Sequence, residues 1–154
     1  TIRSDNFGIG IKDGVNNAAE FFKKNNIKGP VFNNYDIGGY LIYHLFPQER
    51  VFVDNRPEAY PAEFFEKDYI QMQEKDEVWQ EQEKKYQFNT IFFSYRDYTP
   101  WAQSFLIRRI EDKNWAPVFA DQYAIIFLKR NEINKGIIEK YEIPRQNFKI
   151  SQSL

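Results

Sequence analysis

The stretch "NNYDIGGYLIYHLFPQERVFVDNR", Asn33 to Arg56, decides how this chain is read. It sets the polar residues Asn33, Asn34, Asp36, Asp54, Asn55 and Arg56 around short apolar runs that have the length of buried elements. "PVFNN", ending at Asn34, reads as a buried strand, and Gly38 and Gly39 open a short helix that Pro47 ends. "RVFVDNR", with Val51 to Val53 apolar, reads as the next strand. A strand, a crossover of about a dozen residues and a second strand is the minimum for a parallel βαβ unit.

Working outward, "DGVNNAAEFFKKNNIKGP" carries Val15, Ala18, Ala19 and Phe22 at helical spacing, with Asp13 as N-cap and Gly29-Pro30 as stop. After Pro61 a helix with Phe65, Tyr69 and Met72 on one face is expected, and "EKDEVWQEQEKKY" reads as another helix or a continuation of it. "NTIFFSYR" is a third strand. "PWAQSFLIRRIEDK" is a helix with Pro100 in its first turn and Ala102, Phe105, Leu106 and Ile110 on one face. "WAPVFADQYAIIFLKR" is a hairpin turning at Ala120-Asp121-Gln122, and "NEINKGIIEKY" a last short helix. The expected fold is α/β: a three-layer, Rossmann-like domain with three parallel strands, an antiparallel C-terminal hairpin and helices on both faces. Residues 1–143 form the domain and 144–154 a loose polar tail.

Composition narrows the function. Among 154 residues, 42% are hydrophobic and 18% aromatic, which a disordered chain could not use. Lys plus Arg is 21 against 22 for Asp plus Glu, so no basic excess favours nucleic acid. The absence of Cys excludes disulfides, thiolate catalysis and Cys-bound zinc, and one His, His44, leaves no multi-His metal site. No apolar run approaches the roughly 20 residues of a membrane span. A start on Thr1 reads as a fragment of a longer protein or a processed product.

The polar residues follow the expected strands at their carboxyl ends. They are Asn33, Asn34 and Asp36, then Asp54, Asn55 and Arg56, then Ser94, Tyr95 and Arg96. Parallel strands bring these ends to one edge, where open α/β sheets place ligands. Exposed N–H groups at Gly38-Gly39 would suit an anion. The candidate binding set is therefore Asn33, Asp36, Gly38, Gly39, Asp54, Asn55, Arg56 and Arg96, with no catalytic residue, metal or cofactor assigned. Purely structural roles stand beside this: Asp36 as a helix cap, the glycines as close-packing positions, and Asp54 paired with Arg56 or Arg96. "YDIGGY" lacks the third glycine and the spacing of the dinucleotide fingerprint and is not a P-loop.

The run "GPVFNNYDIGGYLIYHLFPQERVFVDNRPEAYP" resembles the soluble C-terminal region of bacterial multi-pass membrane glycosyltransferases of the polyprenyl-phosphate-sugar type. The matching residues are Val31-Phe32-Asn33, Gly38-Gly39-Tyr40-Leu41, Asp54-Asn55-Arg56 and Tyr60, with Trp115, Val118, Phe119 and Asp121 later. The likeness covers residues 8–130. A more distant likeness is to the soluble domain of the oligosaccharyltransferase catalytic subunit, but "NYDIGGY" lacks both Trp of its Trp-Trp-Asp-Tyr-Gly motif. The resemblance implies an extracytoplasmic domain on a bacterial membrane, partnered by an upstream transmembrane region that carries the catalytic carboxylates. Its ligands would be a polyprenyl-phosphate sugar or an acceptor glycan. Two other functions stay open: a stand-alone small-molecule or nucleotide-binding α/β domain, and a hydrolase using paired carboxylates such as Asp36 and Asp54.

Overall fold

The apolar runs become strands and helices in a computed structural model of the chain, which describes residues 2–4, 16–53 and 61–150. In chain order the elements are β1 (Ile2–Ser4), α1 (Asn17–Lys24), β2 (Val31–Asn33), α2 (Gly38–Leu45), α3 (Gln71–Glu74), α4 (Asp76–Tyr86), β3 (Thr90–Ser94), α5 (Pro100–Glu111), β4 (Trp115–Ala120), β5 (Ala124–Lys129), α6 (Lys135–Tyr141) and β6 (Phe148–Ile150). A 3-10 turn at Tyr35–Ile37 leads into α2, and Phe64–Ile70 winds as wider π turns before α3. The protein is α/β, with a mixed sheet of order β2-β3-β5-β4. The β2–β3 pair is parallel and both β5 pairings are antiparallel.

Every residue of β3 is buried, because apolar groups cover both sides of the sheet. Successive side chains of a strand point to opposite faces. Ile91 and Phe93 therefore join a core with Phe32, Met72, Trp79 and Phe105, while Phe92 joins one with Phe22, Leu41, Ile126 and Ile138. The ring of Phe32 meets those of Phe52, Trp79, Phe88, Phe93 and Phe105 at 5.2–5.4 Å. Arg109, 2% exposed, is held beneath this core. Its guanidinium lies 5.2 Å from the Trp79 ring and 2.7 Å from Asp76. Burial lowers its pKa, against the opposing pull of Asp76 and Asp112.

The α5 start follows its sequence signal: Thr99 Oγ1 accepts from the Ala102 N–H and Pro100 fills the first turn. The outer strand β4 carries Pro117, whose carbonyl accepts from the Ile143 N–H at 2.8 Å, away from β5. Residues 148–150, within the stretch expected to be a loose tail, pair antiparallel with β1, and Phe148 is buried.

One expected strand takes another form. Val51–Val53 makes no ladder with β2. Instead the Asn33 carboxamide stands between them. Its Oδ1 accepts from the Phe52 N–H at 2.7 Å and the Val53 N–H at 3.3 Å, and its Nδ2 donates to the Val53 carbonyl at 2.6 Å and the Asn34 carbonyl at 3.0 Å. A carboxamide has the donor and acceptor of a peptide group, so it bridges a gap too wide for main-chain pairing. The described sheet thus holds one parallel pair, and the rest of the expected strand, residues 54–56, lies outside the described residues.

Asn33→Ala strands several buried main-chain groups at once. It is expected to lower stability by about 2–4 kcal/mol. Urea unfolding measures this, and an unchanged midpoint would show that other contacts hold 51–53.

Candidate functional site

Three turns meet at the edge where β2 and β3 end. The β4–β5 hairpin reaches the same edge, because Ser94 at the end of β3 pairs with Ala124 at the start of β5. Asn34 fixes the first two turns to each other. Its Oδ1 accepts from the Ser94 N–H at 2.9 Å, and its Nδ2 donates to Asp97 Oδ2 at 3.1 Å and the Ser94 carbonyl at 3.3 Å. Asp97, 5% exposed, also accepts from the Thr99 N–H and hydroxyl at 3.1 and 2.6 Å. The loop that bears Arg96 is therefore clamped at both ends. In the hairpin, the Asp121 carboxylate accepts from the Tyr123 and Ala124 N–H groups, both at 2.8 Å.

Between these turns lies a cavity of about 110 Å³, lined by Ile37, Tyr40, Ser94, Arg96, Tyr123 and Ala124. Arg96 is exposed, its guanidinium lies 4.9 Å from the centre of the Tyr123 ring, and it forms no ion pair among the described residues. The ring holds the planar fork without using its N–H donors, which stay available to a ligand. The Tyr40 hydroxyl accepts from the Ala19 N–H at 3.3 Å. Burial raises its pKa, with smaller contributions from Asp121 and Glu20.

Two carboxyl groups of this edge hold their protons more tightly than a free side chain does. Burial raises the Asp121 pKa above the ordinary 3.8, opposed by the two N–H groups it accepts from. Asp36 is also raised, by desolvation first and by the Asp97 charge second, although the residue itself is exposed. A guanidinium, two tyrosines and the Ser94 hydroxyl around a small cavity can grip a polar ligand by hydrogen bonds and ring contact. They supply no paired nucleophile and base.

Of the residues singled out from the sequence, Asp36 and Arg96 reach this edge. Asn33 is fully buried, and both its amide hydrogens and its oxygen are used by the chain itself. Asp36 does not cap α2 with its side chain. The Gly38 N–H donates to the Tyr35 carbonyl and is thereby committed, while Gly39 is half-buried in the first turn of α2. Asp54, Asn55 and Arg56 lie outside the described residues. Tyr40, Asp97 and Tyr123 were not singled out as site residues. The Asp97-x-Thr99-Pro100 spacing was a usable signal, since an Asp two residues before a Thr-Pro helix start commonly folds its side chain back onto the main chain.

A larger, mainly apolar cleft of about 520 Å³ beside Val31, Phe52, Tyr86 and Phe88 has fewer converging polar groups. Its carboxylate, Glu49, already accepts from the Gly29 N–H at 3.0 Å. Compared with protein-family models, curated proteins and solved structures, the chain matches none. Fold and edge together define a small α/β domain with an open polar edge.

Because the folded state holds the Asp121 proton more tightly than the unfolded chain, this group's contribution to stability falls as pH rises from 3.8 through its raised value. Asp121→Asn keeps an acceptor for Tyr123 and Ala124 and removes the charge. The variant is expected to gain stability relative to the parent as pH rises through that range. Chemical unfolding at a series of pH values measures it, and parallel curves for the two proteins would refute the assignment.

Proposed function

We propose that this chain is a non-catalytic, extracytoplasmic accessory domain of a bacterial membrane-embedded glycosyltransferase-like protein. Its carboxyl edge receives part of an acceptor glycan or of a polyprenyl-phosphate sugar, while the transmembrane region of the same protein does the chemistry. On this reading the layering is Rossmann-like, with residues 51–53, held to β2 through Asn33, in the place of a third parallel strand. The resemblance at Val31–Tyr60 motivates the membrane context. The observation that carries the binding role is Arg96, which forms no ion pair among the described residues and is set on the Tyr123 ring beside the cavity it lines.

Size favours this reading over a stand-alone nucleotide site at this edge. Pockets that enclose a small molecule run to about 300–1,000 Å³, whereas this one, at about 110 Å³, fits a fragment of a longer ligand. A hydrolase would need two carboxyls with opposed protonation across a substrate cleft. Here Asp97, the carboxyl that acts on Asp36, is itself bonded to Asn34 and Thr99, Asp121 is bonded within its hairpin, and Asp54 lies outside the described residues.

Titrating the 154-residue chain with methyl glycosides and with inorganic phosphate, followed by amide NMR shifts, tests the edge. Shifts should cluster at Ser94, Arg96, Tyr123 and Ala124, and Arg96→Ala should weaken binding by about tenfold, the value of one charge-assisted hydrogen bond. Shifts centred elsewhere overturn the site. The isolated chain is also expected to show no glycosyl transfer or glycoside hydrolysis, and turnover lost in Asp36→Ala would sink the non-catalytic assignment. The encoding gene should specify several apolar spans ahead of Thr1, and a gene without them removes the membrane context.

A further inference from the structure

Helix α2 buries one side and presents another that no described residue covers. Gly38, Leu41 and Leu45 face the core, and the Tyr40 and His44 rings, 4.4 Å apart, turn toward α1. That leaves Ile42, Tyr43 and Phe46 outward, at 36%, 84% and 61% exposure. Single exposed apolar residues are ordinary, but three within five positions of one short helix form a patch. The patch has a basic flank. Lys23 and Lys28 line the groove between α1 and α2 together with His44 and Leu45, and Lys24 follows Lys23 in the last turn of α1. All three lysines are exposed. The acids nearby are Glu20, beside His44, and Glu49, whose carboxylate accepts from the Gly29 N–H at 3.0 Å. Three lysines against two glutamates leave this flank with an excess of one positive charge beside the aromatic helix face, in a chain of formal charge −1.

We infer that this α1–α2 face docks on an anionic lipid surface, with Tyr43 and Phe46 at the headgroup level and the lysines over lipid phosphates. Aromatic residues with a polar edge prefer that depth, and lysines beside them add attraction that salt screens. With 8 residues, α2 is far too short to cross a bilayer, and no described helix is long and apolar enough to do so. The geometry is that of an element lying in the interface plane. The charge decides between partners. A second copy would bring lysines against lysines, whereas an anionic headgroup layer neutralises them. This inference does not depend on the ligand edge, which uses other residues.

Sedimentation of the 154-residue chain with vesicles of equal parts phosphatidylcholine and phosphatidylglycerol tests it, with pure phosphatidylcholine vesicles as the neutral comparison. The chain is expected to bind the anionic vesicles, to lose binding as salt is raised, and to bind neutral vesicles far more weakly. Tyr43→Ser with Phe46→Ser, and separately Lys23→Glu with Lys28→Glu, should each lower the partition coefficient by about tenfold or more. These positions are exposed, and circular dichroism of the variants checks that the fold is intact. Absence of anionic-vesicle binding, or binding unchanged in both double variants, overturns the inference. So does a concentration-dependent dimer abolished by Tyr43→Ser with Phe46→Ser, which would assign the face to a second copy.

Discussion

Two adjacent buried carboxamides govern this structure. Where β2 ends, its main-chain pairing with β3 would stop, and toward residues 51–53 it has no ladder, so buried peptide groups would be left without partners. Asn34 carries the pairing on toward β3 by bonding both polar groups of Ser94, and Asn33 carries it toward Phe52 and Val53. One asparagine serves each side. The loop of Arg96, the turn into α2 and the course of residues 51–53 all take their positions from this pair. A polar group satisfied so completely inside a protein is costly to disturb, because each lost partner leaves another group desolvated.

Rigidity at the edge comes from the packing behind it. Phe32, one residue before the asparagines, is locked among five other rings. The strand that delivers Asn33 and Asn34 therefore cannot slide without moving Trp79 on α4 and Phe105 on α5. A binding edge of short loops gains definition when its anchors are fixed in this way. Arg96 is the contrast: its backbone is clamped through Asp97 and Ser94, while its side chain rests on one ring and reaches solvent.

Much of this was legible in the sequence. The apolar run Ile91–Phe93 of β3, the β4–β5 hairpin and the Thr99-Pro100 start of α5 appear where propensity and pattern put them. The clustering of polar residues at one edge was also legible for Asp36 and Arg96. Val51–Val53 was not, because a segment bonded to a side chain has the same apolar composition as one bonded to a strand. Asn33 raised the same ambiguity: an amide beside a buried strand looks alike in sequence whether it faces a ligand or its own backbone. The roles of Tyr40 and Tyr123 were hidden among many core aromatics. The β1–β6 pair joins three-residue segments from opposite ends of the chain, a contact that local pattern does not encode.

The same asparagine has a consequence for the molecule in a crowd. An unprotected outer strand offers its free peptide groups to any passing chain, and such strands seed aggregation. Here both margins of the described sheet are partly occupied. On one flank the Asn33 side chain and residues 51–53 occupy the outer side of β2. On the other, Pro117 offers β4 no N–H, and its carbonyl is taken by Ile143. A third safeguard is the bulge between Pro117 and Phe119, which breaks the regular register a newcomer would need. At both margins the chain's own groups take up part of the pairing a newcomer would need.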